Sequence, residues 1–269
     1  MKTYDCKFLA FSCIHAPLQS EAHIEEIIKV NQDKKPNEVI MLGDLFEASA
    51  ASKWGKENAA DLIVEYERGN DILESIRKVN PDAKYTFLEG NHDANILAKG
   101  RFEADIRNML DFNIPQGYKQ ANGNFVQVNR EFLENWNRNT PYVYHRTRGS
   151  YRLGAVCFAH GFEAGTSSDE MQAIHFNQLW ANSLFISGHT HRPTEGVAKR
   201  VMKTKGRGLP FWYLNAGCSC DIDKMDYMDR KQRGLWGNGY VLGSCDLVKS
   251  PRLSKTWEAE CFVTKWFEE

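Results

Sequence analysis

Short apolar runs recur along the chain, separated by stretches in which apolar positions return every third or fourth residue. Phe8–Phe11 is one such run and predicts a buried strand. Ala22, Ile24, Ile27 and Ile28 then fall at helical spacing among Glu and Lys, which predicts an amphipathic helix. Val39–Leu42 predicts a second buried strand. Leu62, Tyr66, Gly69, Leu73 and Ile76 predict a long helix packed on one face, with Pro81 beyond its end as a stop signal. Lys84–Leu88 predicts a third strand. Strand, helix and strand in alternation point to parallel strands joined by crossover helices, an α/β fold.

From Lys99 to Arg148 the pattern loosens. Ile114-Pro115-Gln116-Gly117 and Asn122-Gly123 read as turns and Glu131–Trp136 as a short helix. The whole stretch, at about 99–148, reads as an insertion over the top of the sheet within a single domain spanning 1–269. Beyond it, Tyr151–Phe158, Leu184–Ser187 and Phe211–Leu214 each predict a strand. Gly239–Val248 and Trp257–Lys265 predict a hairpin that closes a second sheet.

Composition narrows the function classes. With 269 residues, 42% of them hydrophobic, the chain can bury a large core. A formal net charge of -1 gives no global reason to expect nucleic acid or an anionic membrane as partner. No apolar run approaches the roughly 18–20 residues that a membrane span requires. The opening Met1–Lys7 is too charged for a secretory signal. The seven cysteines are odd in number and scattered, without a disulfide framework, so a reducing cytoplasm is the expected location.

The chemistry sits at the strand ends. Five segments share one layout, a short apolar strand followed by a turn of small residues bearing His, Asp or Asn. They are Cys13-Ile14-His15, Gly43-Asp44, Gly90-Asn91-His92-Asp93, His160-Gly161 and Gly188-His189-Thr190-His191. Five of the eight histidines lie in them. Side chains at the carboxyl ends of neighbouring strands converge on the crevice where open α/β sheets bind ligands. Imidazole, carboxylate and amide oxygen together suit divalent Mn, Fe, Ni, Co or Zn. There are more candidates than the about four to six ligands one ion takes, so two ions sharing a carboxylate are expected.

The order and content of these segments resemble the calcineurin-like metallophosphoesterase superfamily, whose pattern is Asp-x-His, Gly-Asp, Gly-Asn-His-Asp/Glu, a lone His, and Gly-His-x-His. The resemblance spans about residues 8 to 217. It implies a four-layer α/β/β/α sandwich with a two-metal centre at one edge of the sheets. Carried over residue by residue, it gives the first metal Cys13, His15, Asp44 and His191, and the second Asp44, Asn91, His160 and His189. Asp44 would bridge. His92 would face the substrate as acid or transition-state clamp, with Asp93 orienting its ring. The implied reaction is hydrolysis of a phosphoester by a metal-bridging hydroxide. Mono- and diesters both stay open as substrates. A nuclease acting on DNA or RNA is the alternative, as is a catalytically weakened metal-binding scaffold.

Two departures from the pattern stand out. Cys13 occupies the position of an Asp, and a thiolate there would favour Zn or Fe(II) over Mg. Asn215-Ala216-Gly217-Cys218 stands where many relatives have Asn-Pro-Gly-Ser; Cys218 and Cys220, lacking a second pair at zinc-ribbon spacing, read as packing. His23, on the polar side of the first helix, and His175 read as ordinary surface or packed histidines. His145 with Arg146 and Arg148 offers a phosphate contact, and Trp54 a stacking surface or a loop anchor. The basic run Lys199, Arg200, Lys203, Lys205 and Arg207 reads as a solvated hairpin in preference to a nucleic-acid track.

Overall fold

Alternation within each strand decides how the protein stacks. In the computed structural model, which describes residues 4–49, 62–93, 150–161, 168–179, 183–199, 210–225, 234–247 and 256–264, β1 (Cys6–Phe11) is apolar on both faces. Leu9 and Phe11 join one core and Phe8 and Ala10 another. The same division repeats in β2 (Glu38–Met41), where Val39 and Met41 face the first core and Ile40 the second. A strand buried on both faces reads as a continuous apolar run, which is why these strands were visible in the sequence.

The elements follow in the order β1, α1 (Glu21–Lys34), β2, α2 (Leu62–Lys78), β3 (Lys84–Phe87), β4 (Tyr151–Leu153), β5 (Val156–Ala159), α3 (Ser168–Leu179), β6 (Leu184–Ser187), β7 (Pro193–Lys199), β8 (Pro210–Ala216), β9 (Gly239–Cys245) and β10 (Trp257–Val263). Two five-stranded sheets result, ordered β10-β9-β1-β2-β3 and β4-β5-β6-β8-β7. β1, β2 and β3 run parallel, as do β5, β6 and β8. Ser20 caps α1 by accepting a hydrogen bond from the His23 N–H, and Lys35 ends it in a left-handed conformation.

Three cores separate these elements. Ile24 and Ile27 of α1 and Ile72, Leu73 and Ile76 of α2 pack on Leu9, Val39, Tyr85 and Phe87. Between the sheets, Phe8, Ile40 and Val241 meet Val156, Phe158, Leu184, Ile186 and Leu214. Ala173 and Phe176 of α3 cover Cys157, Phe185 and Phe211 on the far side of the second sheet. Each fully buried Phe contributes roughly 1.5–3 kcal/mol.

Several expectations are corrected. Tyr151–Phe158 is two antiparallel strands, because Gly154, at φ +53°, turns the chain between Leu153 and Val156. β7, not anticipated as a strand, pairs antiparallel with β8 along its whole length. The late hairpin does form, but it extends the first sheet: β9 pairs with β1, Leu242 opposite Leu9. Its residues alternate between the two cores that β1 already separates, so it completes both at once. This hairpin also covers His23, whose ring sits buried against Thr264 Oγ1 (2.9 Å) and the Gly239 carbonyl (3.2 Å) and not on a polar face. His175 is exposed. Trp54, the 99–148 insertion, His145 with Arg146 and Arg148, and the basic run beyond Lys199 lie outside the described residues. No described helix is long and apolar enough to cross a membrane.

Candidate metal centre

The five strand-end turns meet at one rim. Cys13 and His15 follow β1, Asp44 follows β2, Asn91 and His92 follow β3, His160 follows β5, and His189 and His191 follow β6. Backbone hydrogen bonds lock the turns together: Cys13 N–H to the Gly43 carbonyl (3.0 Å), His15 N–H to Asp44 (3.1 Å) and Gly188 N–H to His160 (3.1 Å). Cys13, His15, Asp44, His189 and His191 all hold φ between 51° and 69°. Left-handed backbone costs a non-glycine residue about 1–2 kcal/mol, and such strain concentrates at functional sites. Close approach also requires glycine. A Cβ on Gly90 would collide with Asp44 Oδ1 and the Asp44 backbone nitrogen, and one on Gly43 (φ +104°) would sit 2.7 Å from His160 Nδ1.

The hydrogen-bond network assigns the imidazole tautomers. His160 Nδ1–H donates to the Leu42 carbonyl (2.7 Å), which turns Nε2 toward the rim; burial opposes charge on this ring, but Asp44 outweighs it and raises its pKa. That nitrogen lies 3.0 Å from Asp44 Oδ2, 3.1 Å from Asn91 Oδ1 and 3.2 Å from His189 Nδ1. His15 Nδ1–H donates to Glu47 Oε2 (2.8 Å), so its Nε2 lone pair faces His191 Nε2 at 3.1 Å and Asp44 Oδ2 at 4.0 Å. Metal-ligating histidines characteristically donate their other N–H to a carboxylate or backbone carbonyl in this manner. One proton on each facing nitrogen cannot satisfy so many convergent acceptors. A divalent cation can, and the donor set therefore fits one.

Electrostatics agree with neutral imidazoles on the His15 side. Burial holds His15 and His191 down, and burial followed by the proximity of His160 takes His189 to about 4. At Asp44 burial pushes upward, but His160 and His92 outweigh it and hold the carboxylate well below its usual range. Asp44 stands between the two groups, with Oδ1 accepting the His92 N–H (2.8 Å). Cys13 Sγ contacts Ser12 Oγ (2.9 Å) and accepts from the His189 N–H (3.3 Å). Burial first, then the Asp44 carboxylate, keeps this thiol protonated well above the ordinary range. A thiolate there consequently depends on a cation.

The structure brings together all seven side chains singled out as metal ligands: Cys13, His15, Asp44, Asn91, His160, His189 and His191. Asp93 binds the backbone of the neighbouring turns. Its carboxylate accepts from the backbone N–H groups of Asp44 (2.8 Å), Gly90 (2.9 Å), Leu45 (3.1 Å) and Phe46 (3.3 Å), pinning the second and third turns to each other. Burial, then Asp44, pushes Asp93 up to about 7. The His92 ring is held by Glu47, whose carbonyl accepts from Nδ1 at 2.6 Å. Sequence reasoning missed Glu47, since a carboxylate three residues after Asp44 gives no hint that it will reach two imidazoles. Asn215 has its turn role: Oδ1 accepts the Gly217 N–H, while Nδ2 donates to Asp169 Oδ1 (2.8 Å) and the Gly188 carbonyl (2.7 Å), bracing the double-histidine turn.

Parallel strands of an α/β protein deliver histidine, aspartate and asparagine to one buried rim, groups that could hold a metal ion. The chain belongs to the calcineurin-like phosphoesterase family, whose model matches residues 6–206; metal-dependent hydrolysis of phosphoesters is the chemistry of that family. Among curated relatives it is similar to the Gene 54 proteins of Mycobacterium phage L5 (22% identical) and phage D29 (21% identical), each over 261 residues that cover 89% of this chain and 89% of the relative. Among solved structures it is similar to a metallophosphoesterase from Sphaerobacter thermophilus (16% identical, TM-score 0.44, covering 88% of this chain and 82% of that one). It is also similar to Vps29 of Entamoeba histolytica complexed with zinc (12% identical, TM-score 0.42, 96% and 98%).

Proposed function

We propose that the protein hydrolyses a phosphoester with water as nucleophile, using two divalent transition-metal ions. Cys13, His15, Asp44 and His191 hold one; Asp44, Asn91, His160 and His189 hold the other. The observation that carries this reading is the convergence on His160 Nε2, met at 3.0–3.2 Å by Asp44, Asn91 and His189. When bound, such ions polarise phosphoryl oxygens and lower the pKa of a water from 15.7 to about 7.

The chain's own groups supply the rest. Glu47 fixes His15 and His92 together, through its carboxylate and its carbonyl. His92 is about one-fifth exposed, so it can reach a substrate while its neighbours stay buried. Burial opposes charge on this ring, yet the carboxylates of Asp44 and Glu47 outweigh it and raise its pKa. That makes His92 the acid that protonates the leaving oxygen. Asp93 is a positioning residue that acts through the backbone of Asp44. The α/β/β/α layering belongs to the same reading, supported by the three cores. A reducing cytoplasmic setting is supported by the free cysteines.

A screen of aryl phosphomonoesters and phosphodiesters with added Mn²⁺, Fe²⁺, Ni²⁺ or Zn²⁺ tests this. Turnover is expected in at least one ester class, falling about 10²–10⁴-fold in His92→Ala with metal content unchanged. Absence of turnover on both classes, or an unaffected His92→Ala, refutes it.

A further inference from the structure

Cys218 and Cys220 do not simply fill space. With Cys13 and Met225 they form a small buried cluster of their own, apart from the three cores, in which all four side chains are fully inaccessible. The chain enters it from two directions. The Ser219 N–H donates to the Cys13 carbonyl at 3.0 Å, and the Cys218 N–H donates to Gly237 at 3.0 Å. Cys218 and Cys220 thus alternate out of an extended segment, so that Ser219 ties them to the turn carrying Cys13.

His191 joins this cluster to the rim. A ring nitrogen of His191 and the sulfurs of Cys218 and Cys220 lie within 4.8 Å of one another, and His191 is likewise grouped with Cys13 and His15. His191 Nε2 faces His15, whereas Nδ1 is buried with no hydrogen-bond partner among the described residues. The ring of Trp236, centred 4.2 Å from that of His191, closes the site on another side. An orphaned buried imidazole nitrogen costs about 1–3 kcal/mol, and the two buried thiols grouped with this ring offer only weak hydrogen bonds in return. Thiolate sulfurs and imidazole are instead the donors of structural zinc sites.

We propose that Cys218, Cys220 and His191 form a sulfur-rich site for a thiophilic divalent cation, zinc, beside the Cys13 side of the metal centre. Binding replaces the thiol protons by the cation, one proton released for each sulfur, with no change of oxidation state. The site is closed by burial, so zinc there is retained when a cation on the Asn91 side exchanges with solvent. His191 turns Nε2 toward the proposed first ion, whereas the unpartnered atom is Nδ1, so this site is distinct from the two-ion centre and stands or falls independently of turnover.

X-ray absorption at the zinc edge, on the full chain carrying one zinc equivalent, tests it directly. Two or three sulfurs at about 2.3 Å and one or two nitrogens at about 2.0–2.1 Å per zinc are expected. One sulfur or none overturns it, since Cys13 alone then suffices. In a second arm, cobalt replaces zinc. Thiolate-to-cobalt charge transfer should fall by at least about two-thirds in Cys218→Ser/Cys220→Ser, because both thiolates of the site are lost; an unchanged band overturns the proposal. Should the double variant fail to fold, the absorption measurement on the unaltered chain still decides. A thiol count below seven per denatured, unreduced chain also overturns it, because a disulfide would then account for the pair. Failure of hydrolysis in the ester screen leaves these readouts unmoved, so the two readings fail separately.

Discussion

Asp93→Ala offers the sharpest test of how the rim is built. The Asp93 carboxylate is 1% exposed and accepts from four backbone N–H groups, of Asp44, Gly90, Leu45 and Phe46, at 2.8–3.3 Å. Truncation orphans all four at once. Each unsatisfied buried donor costs about 1–3 kcal/mol, so a loss of at least about 4 kcal/mol is expected even where water enters the vacated space. That is a large fraction of the roughly 5–15 kcal/mol that holds a domain together. Followed by thermal melting, it corresponds to a drop of roughly 8–15 °C. Asp93→Asn retains one oxygen but turns an N–H₂ toward two of the donors, and should fall about midway. If Asp93 instead oriented His92, both variants would melt within about 2 °C of the unaltered protein and lose only turnover. That result would refute the pinning role.

Three further outcomes follow from the same geometry. Glu47→Ala removes the acceptor for His15 Nδ1 and should lower metal affinity or turnover by about 10–100-fold, with Glu47→Gln milder because it still accepts; isothermal titration with Mn²⁺ and a hydrolysis assay check this. Gly90→Ala drives a Cβ into the Asp44 backbone and carboxylate and should cost about 1–3 kcal/mol, measured by urea unfolding. His23 is held down at about 4 by burial, against about 6.5 when unfolded, so above pH 6.5 both states are neutral and it contributes nothing. Between pH 6.5 and 4 only the unfolded chain gains the proton, and stability falls by about 3 kcal/mol in total. His23→Gln should flatten that part of the urea-midpoint profile; a profile parallel to that of the unaltered protein contradicts the assignment.

Where the sequence was informative, the reason is physical. β1, β2, β3 and β6 are buried on both faces, so they stand out as apolar runs, and their turns carry the rim residues immediately afterwards. Family resemblance then sorted Asp44, Asn91, His160 and the double-histidine turn into one site. Other features depend on partners distant in the chain. Nothing local tells that β9 will pair with β1, or that the hairpin it forms will bury His23. Glu47 went unnoticed and the backbone contacts of Asp93 were not foreseen, because such hydrogen bonds leave no trace in residue identity. Cys218 and Cys220 looked like packing because their companions, Cys13 and His191, are far away in sequence and belong to two different turns.

Most direct for the proposed activity is metal reconstitution of the chelator-stripped full chain, with hydrolysis of bis-p-nitrophenyl phosphate and p-nitrophenyl phosphate followed as Mn²⁺ is added. The unaltered protein should regain turnover saturably. Asp44→Asn, which weakens the carboxylate lying between His15 and His160, should need at least about 10-fold more Mn²⁺ and turn over at least about 100-fold more slowly. Turnover that ignores Mn²⁺, or an Asp44→Asn variant that titrates like the unaltered protein, would contradict a hydrolytic metal centre at this rim.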